Sequence, residues 1–176
     1  RNVAVFDSGL APGLGNQLAA MLIDEIPGTT GVKILCGGLP RNPRTPFKYK
    51  PRFSLEGLVG EHSDPAVALK QGEVVELESL TELETVEIEE MGTFEAFVTS
   101  GGSSIGPQLH QGKVKDYEYK PLRFPGHCQT MRDFRDLGLW KPETIRTFAR
   151  LFEIATAGED DEDQVILVVE SQGTRP

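Results

Sequence analysis

The alternation of apolar and polar positions divides the chain into two differently patterned parts. In the first part, apolar runs at residues 2–6 and 32–35 predict short strands. Residues 14–26 carry apolar side chains at helical spacing, which predicts an amphipathic helix that ends at Pro27 and Gly28. A short helix is expected at residues 54–61, with Ser54 as its N-cap. The expected buried face of the first helix is Leu14, Leu18, Met21, Leu22 and Ile26.

From residue 65 to residue 100, apolar and polar positions alternate, as in Val75-Glu76-Leu77-Glu78. This pattern predicts strands with one buried and one solvated face, which is typical of antiparallel sheets. Two more strands are expected at residues 114–124 and 164–170. Further helices are expected at residues 103–110, 132–137 and 143–155. Together these elements predict an α+β fold, with a largely antiparallel or mixed sheet and helices mainly on one face.

The composition is that of a soluble, acidic, single-domain protein. The 176 residues fit one domain, in which residues 1–6 are left open as the end of a preceding domain. A net charge of -9 argues against a nucleic-acid partner, and no apolar stretch is long enough to cross a membrane. The two cysteines, Cys36 and Cys128, are interpreted as reduced thiols. A cytoplasmic location is therefore expected.

Residues 36–52 combine paired glycines with a local excess of positive charge. Gly37 and Gly38 follow a predicted strand, where glycines allow a bend or a close approach to a ligand. Five Lys and Arg residues then lie between Arg41 and Arg52, in a chain that is otherwise acidic. Such an island favours an anionic partner. A solvated loop stiffened by prolines is an equally good interpretation at this point.

The glycine-rich turn at residues 9–15 lies between a predicted strand and a predicted helix. A helix N-terminus is a favourable place for a phosphate or a cofactor. The turn nevertheless lacks the third glycine of the dinucleotide fingerprint, since Leu18 stands there, and it lacks the Lys-Ser/Thr of a P-loop. The sequence therefore favours a tight connection that brings backbone near a ligand.

A second glycine-rich segment, at residues 100–106, contains the pattern G-x-S-x-G around Ser104. Asp116 and His127 follow in the order of a hydrolase triad, although the spacings are much shorter than an α/β-hydrolase needs. A backbone nest at residues 100–104 that holds a carboxylate is the favoured functional interpretation. A glycine loop that only ends a strand remains an alternative.

His127 and Cys128 stand at the start of a predicted helix. A metal site is not expected there, because no C-x-x-C and no second histidine cluster accompanies them. A helix N-terminus lowers the pKa of a histidine, because the helix dipole disfavours the imidazolium. His127 is therefore a candidate acid or base, with a structural histidine as the alternative.

Four motifs together resemble one family: GLAPGLGN at residues 9–16, CGGLP at 36–40, TSGGSS at 99–104 and YKPLRFPGHC at 119–128. In this order and spacing they resemble the C-terminal catalytic domain of the saccharopine dehydrogenase family, particularly its lysine 6-dehydrogenase-like members. The resemblance covers about residues 7–139. It implies a fold like the C-terminal domain of glyceraldehyde-3-phosphate-dehydrogenase-like two-domain dehydrogenases.

The resemblance also implies an activity for the parent protein. Family members carry an N-terminal Rossmann domain for NAD or NADP, which is expected before residue 1, and a sheet domain that supplies substrate contacts and a dimer interface. The reaction is hydride transfer from an amine-bearing carbon to the nicotinamide, through an imine that water opens. The parent is thus expected to be an NAD(P)-dependent amino-acid dehydrogenase and a homodimer or higher homo-oligomer. This chain alone is expected to be inactive.

The family also suggests roles for individual residues. A general base is sought, by residue type, among His127, Tyr119 and Lys120. Cofactor contacts are expected at Gly9, Leu10, Ala11 and Pro12. Substrate contacts are expected at Cys36, Gly37, Gly38, Ser100, Gly101, Gly102, Ser103 and Arg123.

Two departures from the saccharopine-binding branch bear on the substrate. That branch has an acidic residue at the place of Ala11 and an Asn-Arg pair at about the place of Ser100 and Gly101. Their absence here favours a smaller amino acid such as lysine. The alternatives are a non-catalytic dimerising or ligand-binding module of the same fold and, less favoured, a serine hydrolase that uses Ser104.

Overall fold

The computed structural model of the protein describes residues 2–173. In these residues the helices are α1 (Leu14–Glu25), α2 (Leu55–Ser63), α3 (Gly106–His110), α4 (His127–Asp136) and α5 (Ile145–Thr156). The strands are β1 (Thr29–Pro40), β2 (Ala66–Lys70), β3 (Glu73–Leu77), β4 (Glu84–Ile88), β5 (Gly92–Ala96), β6 (Asp116–Arg123) and β7 (Asp163–Gly173).

The strands form a mixed sheet in the order β3-β2-β6-β1-β7, and the β4–β5 hairpin joins it through β5 and β6. β1 and β6 run parallel, with Cys36 beside Pro121, and the other paired strands are antiparallel. The prediction of an α+β fold with a largely antiparallel or mixed sheet is therefore confirmed. The long central strand β1 connects the two halves of the molecule, because it pairs with both β6 and β7.

Side chains of β1 alternate between two hydrophobic clusters on opposite faces of the sheet. Val32 and Ile34 pack with Ala19 of α1. Leu35 and Leu39 pack into a larger cluster to which α2, α4 and α5 contribute. Helices α2, α4 and α5 thus cover one face, while α1 and α3 cover part of the other. The part of that second face beyond the N-terminus of α1 is left open.

The predicted face of α1 is wrong in part. Leu14 is 47% exposed and Met21 is 51% exposed, whereas Gly15 and Ala19 are buried. A Cβ atom on Gly15 would lie 3.0 Å from Cγ2 of Ile34, so the helix axis lies close to the sheet. Small residues are required at such a close contact, and the larger apolar side chains lie at its edge.

Residues 2–6 were predicted to be a strand, and this is also wrong. The segment has no strand partner among residues 2–173, and Val3 is 88% exposed and Phe6 is 82% exposed. β-prone residues form a strand only where a neighbour offers backbone hydrogen bonds.

One strand boundary differs from the prediction because of tertiary pairing. β1 continues to Pro40, which pairs with Asp163, so Cys36, Gly37 and Gly38 lie within a strand and not after it. α4 begins at His127, which confirms that His127 and Cys128 open a helix, so the helix is longer than the predicted segment 132–137. The N-cap of α2 is confirmed, since the hydroxyl of Ser54 accepts a hydrogen bond from the Gly57 amide at 3.1 Å.

No helix within residues 2–173 has the length and apolar character needed to cross a membrane.

Candidate active site

A cleft of about 750 Å³ opens on the sheet face that α1 leaves uncovered. Its floor is formed by β1 and β6. Its walls are the turn before α1, the loop after β5, helix α2 and the loop between β1 and α2. Segments far apart in the sequence therefore meet at one site. Of the predicted site residues, the cleft is lined by Leu10, Ala11, Pro12, Cys36, Gly38, Ser100, Gly101, Gly102, Tyr119 and Arg123.

The floor consists of alternate residues of two neighbouring parallel strands. Cys36 and Gly38 of β1 and Tyr119 of β6 line the cleft, because residues two apart in a strand share a face. A Cβ atom added to Gly38 would meet nothing within 4 Å, whereas one added to Gly37 would lie 2.8 Å from the Leu122 carbonyl oxygen. The two glycines thus serve different purposes. Gly38 leaves space in the cleft, and Gly37 packs against β6 on the other side.

Arg123 is the most deeply buried charge on this floor, with 5% of its surface exposed. Its guanidinium donates to the Leu122 carbonyl at 2.9 Å and to Oε1 of Glu61 at 3.4 Å, and it lies 4.8 Å from the centre of the Tyr49 ring. Its Nε atom is buried and has no hydrogen-bond partner among the described residues. The guanidinium is a charged donor on the floor of the cleft, and a ligand carboxylate could pair with it.

The two protic side chains next to Arg123 stay protonated at neutral pH. Burial raises the pKa of the Cys36 thiol to about 11, although the charge of Arg123 opposes the rise. Burial also raises the pKa of Tyr119 well above its ordinary value, and Glu61 adds to the rise. Both groups can therefore donate hydrogen bonds to a ligand, and neither is a base at neutral pH.

Helix α2 forms an acidic wall that the sequence analysis missed. Glu56, Glu61 and Asp64 line the cleft together with Gly57 and Gly60. These five positions share one helical face, since they follow the spacing i, i+1, i+4, i+5 and i+8. The sequence could therefore have predicted a helical face made of acidic residues and glycine. Tyr49, Arg52 and Phe53 of the preceding loop also line the cleft, and of these the sequence had indicated only Arg52, as part of the basic island.

The turn before α1 places Leu10, Ala11 and Pro12 at the cleft, but its own backbone closes it. The Gly9 amide donates to the Pro12 carbonyl at 3.1 Å, and the Gly15 amide donates to the Leu10 carbonyl at 2.8 Å. A Cβ atom on Gly13 would lie only 1.9 Å from the Gly9 carbonyl oxygen, so this glycine is needed for the turn itself. The N-terminal amides of α1 are thus already engaged, and the turn does not fit the diphosphate of a dinucleotide.

The loop at residues 100–104 is also largely engaged with the rest of the chain. The Ser100 amide donates to the Glu61 carbonyl at 3.0 Å, and the Ser103 hydroxyl donates to the Val67 carbonyl at 2.7 Å. A Cβ atom on Gly102 would lie 2.2 Å from the Tyr119 ring, so this glycine allows the tyrosine to pack beneath the loop. The loop shapes the cleft wall, and its ability to hold a carboxylate stays a prediction.

Two of the three candidate bases lie away from the cleft. Lys120 is on the opposite face of β6, where it bonds the Glu84 carboxylate at 2.9 Å. His127 is buried in the large cluster and stacks on Phe47 at 4.6 Å between ring centres. Burial holds the pKa of His127 well below its ordinary value, which is the direction expected from the helix dipole but has a different main cause. Of the three, Tyr119 alone lines the cleft.

The residues of the proposed hydrolase triad have separate environments. Ser104 donates to the carboxylate of Asp7, and Asp116 accepts from the Gln71 amide at 3.0 Å. His127 is buried in the core. The geometry therefore gives no support to a serine hydrolase.

The basic island is matched by an acidic loop at the other end of the chain. Arg44 pairs with Asp160 at 3.5 Å, and Arg52 pairs with Asp163 at 3.4 Å. The carboxylate of Glu159 accepts from the Arg44 amide at 2.6 Å. The island is therefore largely held by the chain's own carboxylates. Arg52 is its one member that also lines the cleft within the described residues.

Comparison with known proteins agrees with these features. The model of the saccharopine dehydrogenase C-terminal domain family matches residues 9–175. The chain belongs to this family. The match runs to the end of the sheet, beyond the residues 7–139 covered by the motif resemblance, so β7 and α5 are part of the family domain.

A solved structure shares the fold. Apo histidine-tagged saccharopine dehydrogenase (L-Glu forming) from Saccharomyces cerevisiae matches with a TM-score of 0.62 and 22% identity, over 76% of this chain. The match covers 32% of that protein, so the present chain spans about a third of its length. The family takes its name from a dehydrogenase, which is an oxidoreductase.

Proposed function

We propose that the cleft binds the amino-acid substrate of an NAD(P)-dependent dehydrogenase that oxidises an amine-bearing carbon. The observation that carries this proposal is the buried guanidinium of Arg123, a residue of the floor of a cleft to which all four family motifs contribute. Family membership supports the reaction class. Lysine, or a compound similar to saccharopine, is the proposed substrate.

The charges of the cleft suit a zwitterionic ligand. Arg123 is fixed by Tyr49 and Glu61, so it can receive a carboxylate with little loss of side-chain entropy. Glu56 and Asp64 on the α2 wall offer carboxylates to the ligand's ammonium groups. The open space above Gly38 leaves room for an aliphatic chain between the two ends. An amino acid with a second amine therefore fits both parts of the cleft, with its carboxylate at Arg123 on the floor and its ammonium groups at the α2 wall.

In this proposal the protonated groups orient the substrate, and proton transfer falls to a carboxylate. The thiol of Cys36 and the hydroxyl of Tyr119 keep their protons at neutral pH because burial raises their pKa values. Glu61 adjoins Arg123 and is the carboxylate nearest to the proposed carboxylate site. We assign the acceptance of the amine proton to Glu61.

The cofactor's diphosphate finds no site in the turn before α1, so we assign its binding to another part of the parent protein. When bound, NAD or NADP would supply the hydride acceptor. The contribution of this chain is the cleft that holds the substrate and the apolar turn of Leu10, Ala11 and Pro12 at its edge. This division predicts that residues 2–173 bind the amino acid better than they bind the dinucleotide.

The test is an assay of NADH and NADPH formation by the full-length protein with lysine and with saccharopine. Arg123→Gln is expected to raise KM for the active substrate by about a hundredfold, as loss of a charge-assisted pair does. Arg132→Gln is the matched control, because Arg132 donates to the Leu80 carbonyl at 2.8 Å and lies outside the cleft. Absence of turnover on both substrates, with cofactor bound, would contradict the proposal. Absence of cofactor binding would favour the non-catalytic module.

A further inference from the structure

Asn16, in the first turn of α1, joins two walls of the cleft through a single side chain. Its carbonyl oxygen accepts from the Gly13 amide at 2.8 Å, which ties it to the turn that carries Leu10 to Pro12. Its amide nitrogen donates to the Ser103 carbonyl at 3.0 Å and lies 3.3 Å from the Gly102 carbonyl. The two walls are far apart in the sequence and have this side chain in common.

The network also reaches the sheet beneath the cleft. The Asn16 amide nitrogen lies 3.1 Å from the hydroxyl of Tyr117, whose ring is fully buried between α1 and the sheet. Gly106 fits against this ring, because a Cβ atom there would lie 2.4 Å from it. The tyrosine thus fixes the position of the asparagine from below, and the asparagine fixes the two walls above.

The chemistry of the bonds requires an amide at this position. The side chain accepts a bond from an N–H group at one end and donates bonds to carbonyl oxygens at the other. An aspartate in the same place would set a carboxylate oxygen against the carbonyls of Gly102 and Ser103, and a leucine would leave the Gly13 amide without its acceptor. Neither substitute preserves both walls.

We propose that Asn16 is a positioning residue that fixes the Leu10–Pro12 turn and the Ser100–Gly102 loop relative to each other at the cleft. This inference rests on the proposed function, in which these two walls help to shape the cleft that holds the substrate. Asn16 is not among the residues that line the main cleft, so it acts through the walls and not by touching the substrate. A misplacement of about 1 Å at a reacting centre can lower a rate by about a hundredfold.

The kinetic test uses Asn16→Asp in the full-length protein. The expected result is a kcat lower by about ten- to a hundredfold, with KM for the amino acid changed by less than about threefold. The matched control is Thr29→Val, which removes hydrogen bonds to the Leu22 and Ile26 carbonyls at the other end of α1. The control is expected to lose a similar amount of stability without a change in kcat. Equal kcat values in the two variants, below their melting temperatures, would overturn the inference.

Hydrogen exchange provides a readout that does not depend on turnover. In Asn16→Asp, peptides covering residues 9–15 and 100–104 are expected to exchange faster together, whereas Thr29→Val should affect the C-terminal end of α1. Faster exchange in one wall alone, or in neither, would overturn the inference. If the wild-type protein shows no turnover, the proposed function fails, and the exchange measurement alone decides whether Asn16 couples the two walls.

Discussion

The two faces of strands β1 and β6 differ in packing and in open space, although residues next to each other in the sequence form them. On the open face, Cys36 and Gly38 line the cleft beside Tyr119. On the closed face, Gly37 touches the backbone of Leu122 with no room for a methyl group. The open face has space for a ligand, and the closed face packs into the larger hydrophobic cluster without such space.

Consecutive residues of one motif therefore have different roles when the motif lies in a strand. Residues on the open face can contact a ligand, and residues on the closed face pack in the interior. Substitutions one residue apart should then separate ligand binding from stability. Such pairs of variants can be made at several places along the two strands.

The glycine pair gives the largest expected effect. Gly37→Ala forces a Cβ atom to within 2.8 Å of the Leu122 carbonyl oxygen, so the backbone must shift, at a cost of about 3 kcal/mol in the free energy of unfolding. Gly38→Ala places its Cβ atom in open space and should change that free energy by less than about 0.5 kcal/mol. Urea denaturation of both variants measures the difference. Similar losses would mean that the two faces are not distinct.

The next effect concerns a neutral histidine behind the closed face. His127 is buried among Phe47, Tyr49 and His62, and burial lowers its pKa well below the ordinary 6.5. The unfolded chain therefore takes up a proton near pH 6.5 that the folded chain refuses, so stability is full above this pH and falls as the pH drops below it. His127→Phe keeps the ring and removes the titration.

This variant is expected to lose less stability than the wild type between about pH 7 and about pH 5, with about 1.4 kcal/mol for each pH unit as the upper limit of the difference. Urea denaturation at both pH values checks it. His62, whose pKa burial also lowers, should leave part of the pH dependence in place. An unchanged dependence in His127→Phe would place the titration elsewhere.

The sequence predicted well where the local pattern is complete in itself. Strands β2 to β5 and the Ser54 cap were predicted from local signals, and both were confirmed. The solvated face expected for β5 was wrong, because Glu95 is buried, where it accepts hydrogen bonds from the Gly126 and Cys128 amides. The prediction was poorer for β1. Because the strand was expected to end at Leu35, the alternation was not carried through to Gly38, and the glycines were treated as one unit.

The features of the site that were missed depend on long-range contacts. Arg52 and Phe53 reach the cleft because the loop that carries them is held by the acidic loop that begins at Glu159, more than a hundred positions away. The burial of His127 follows from Phe47, which the sequence places in a polar, proline-rich segment. No local sequence pattern reveals such distant partners. The acidic face of α2, in contrast, could have been predicted from its helical spacing.

The neighbouring pair on β6 should show a smaller difference in stability. Lys120 on the closed side bonds Glu84 at 2.9 Å and the Glu82 carbonyl at 3.0 Å, so Lys120→Met should cost about 1–2 kcal/mol. Tyr119→Phe on the open side keeps the ring under Gly102 and should cost less than about 0.5 kcal/mol. In the full-length protein, the tyrosine variant should raise KM and the lysine variant should not. The reverse assignment of the kinetic effect would restore Lys120 as a candidate catalytic residue.

The two thiols give the smallest expected effect on stability. Burial raises the pKa of both Cys36 and Cys128 to about 11, so their ionisation does not distinguish them. Their positions do, because Cys36 lines the cleft while Cys128 packs in the core and donates to the Leu80 carbonyl at 3.7 Å. Cys36→Ser should leave the unfolding free energy within about 0.5 kcal/mol of the wild type and change KM or kcat in the full-length protein. Cys128→Ser should lower stability and leave both constants unchanged, because a hydroxyl in that apolar setting is poorly satisfied. Unchanged kinetics in Cys36→Ser would mean that this side of β1 borders the cleft without contacting the substrate.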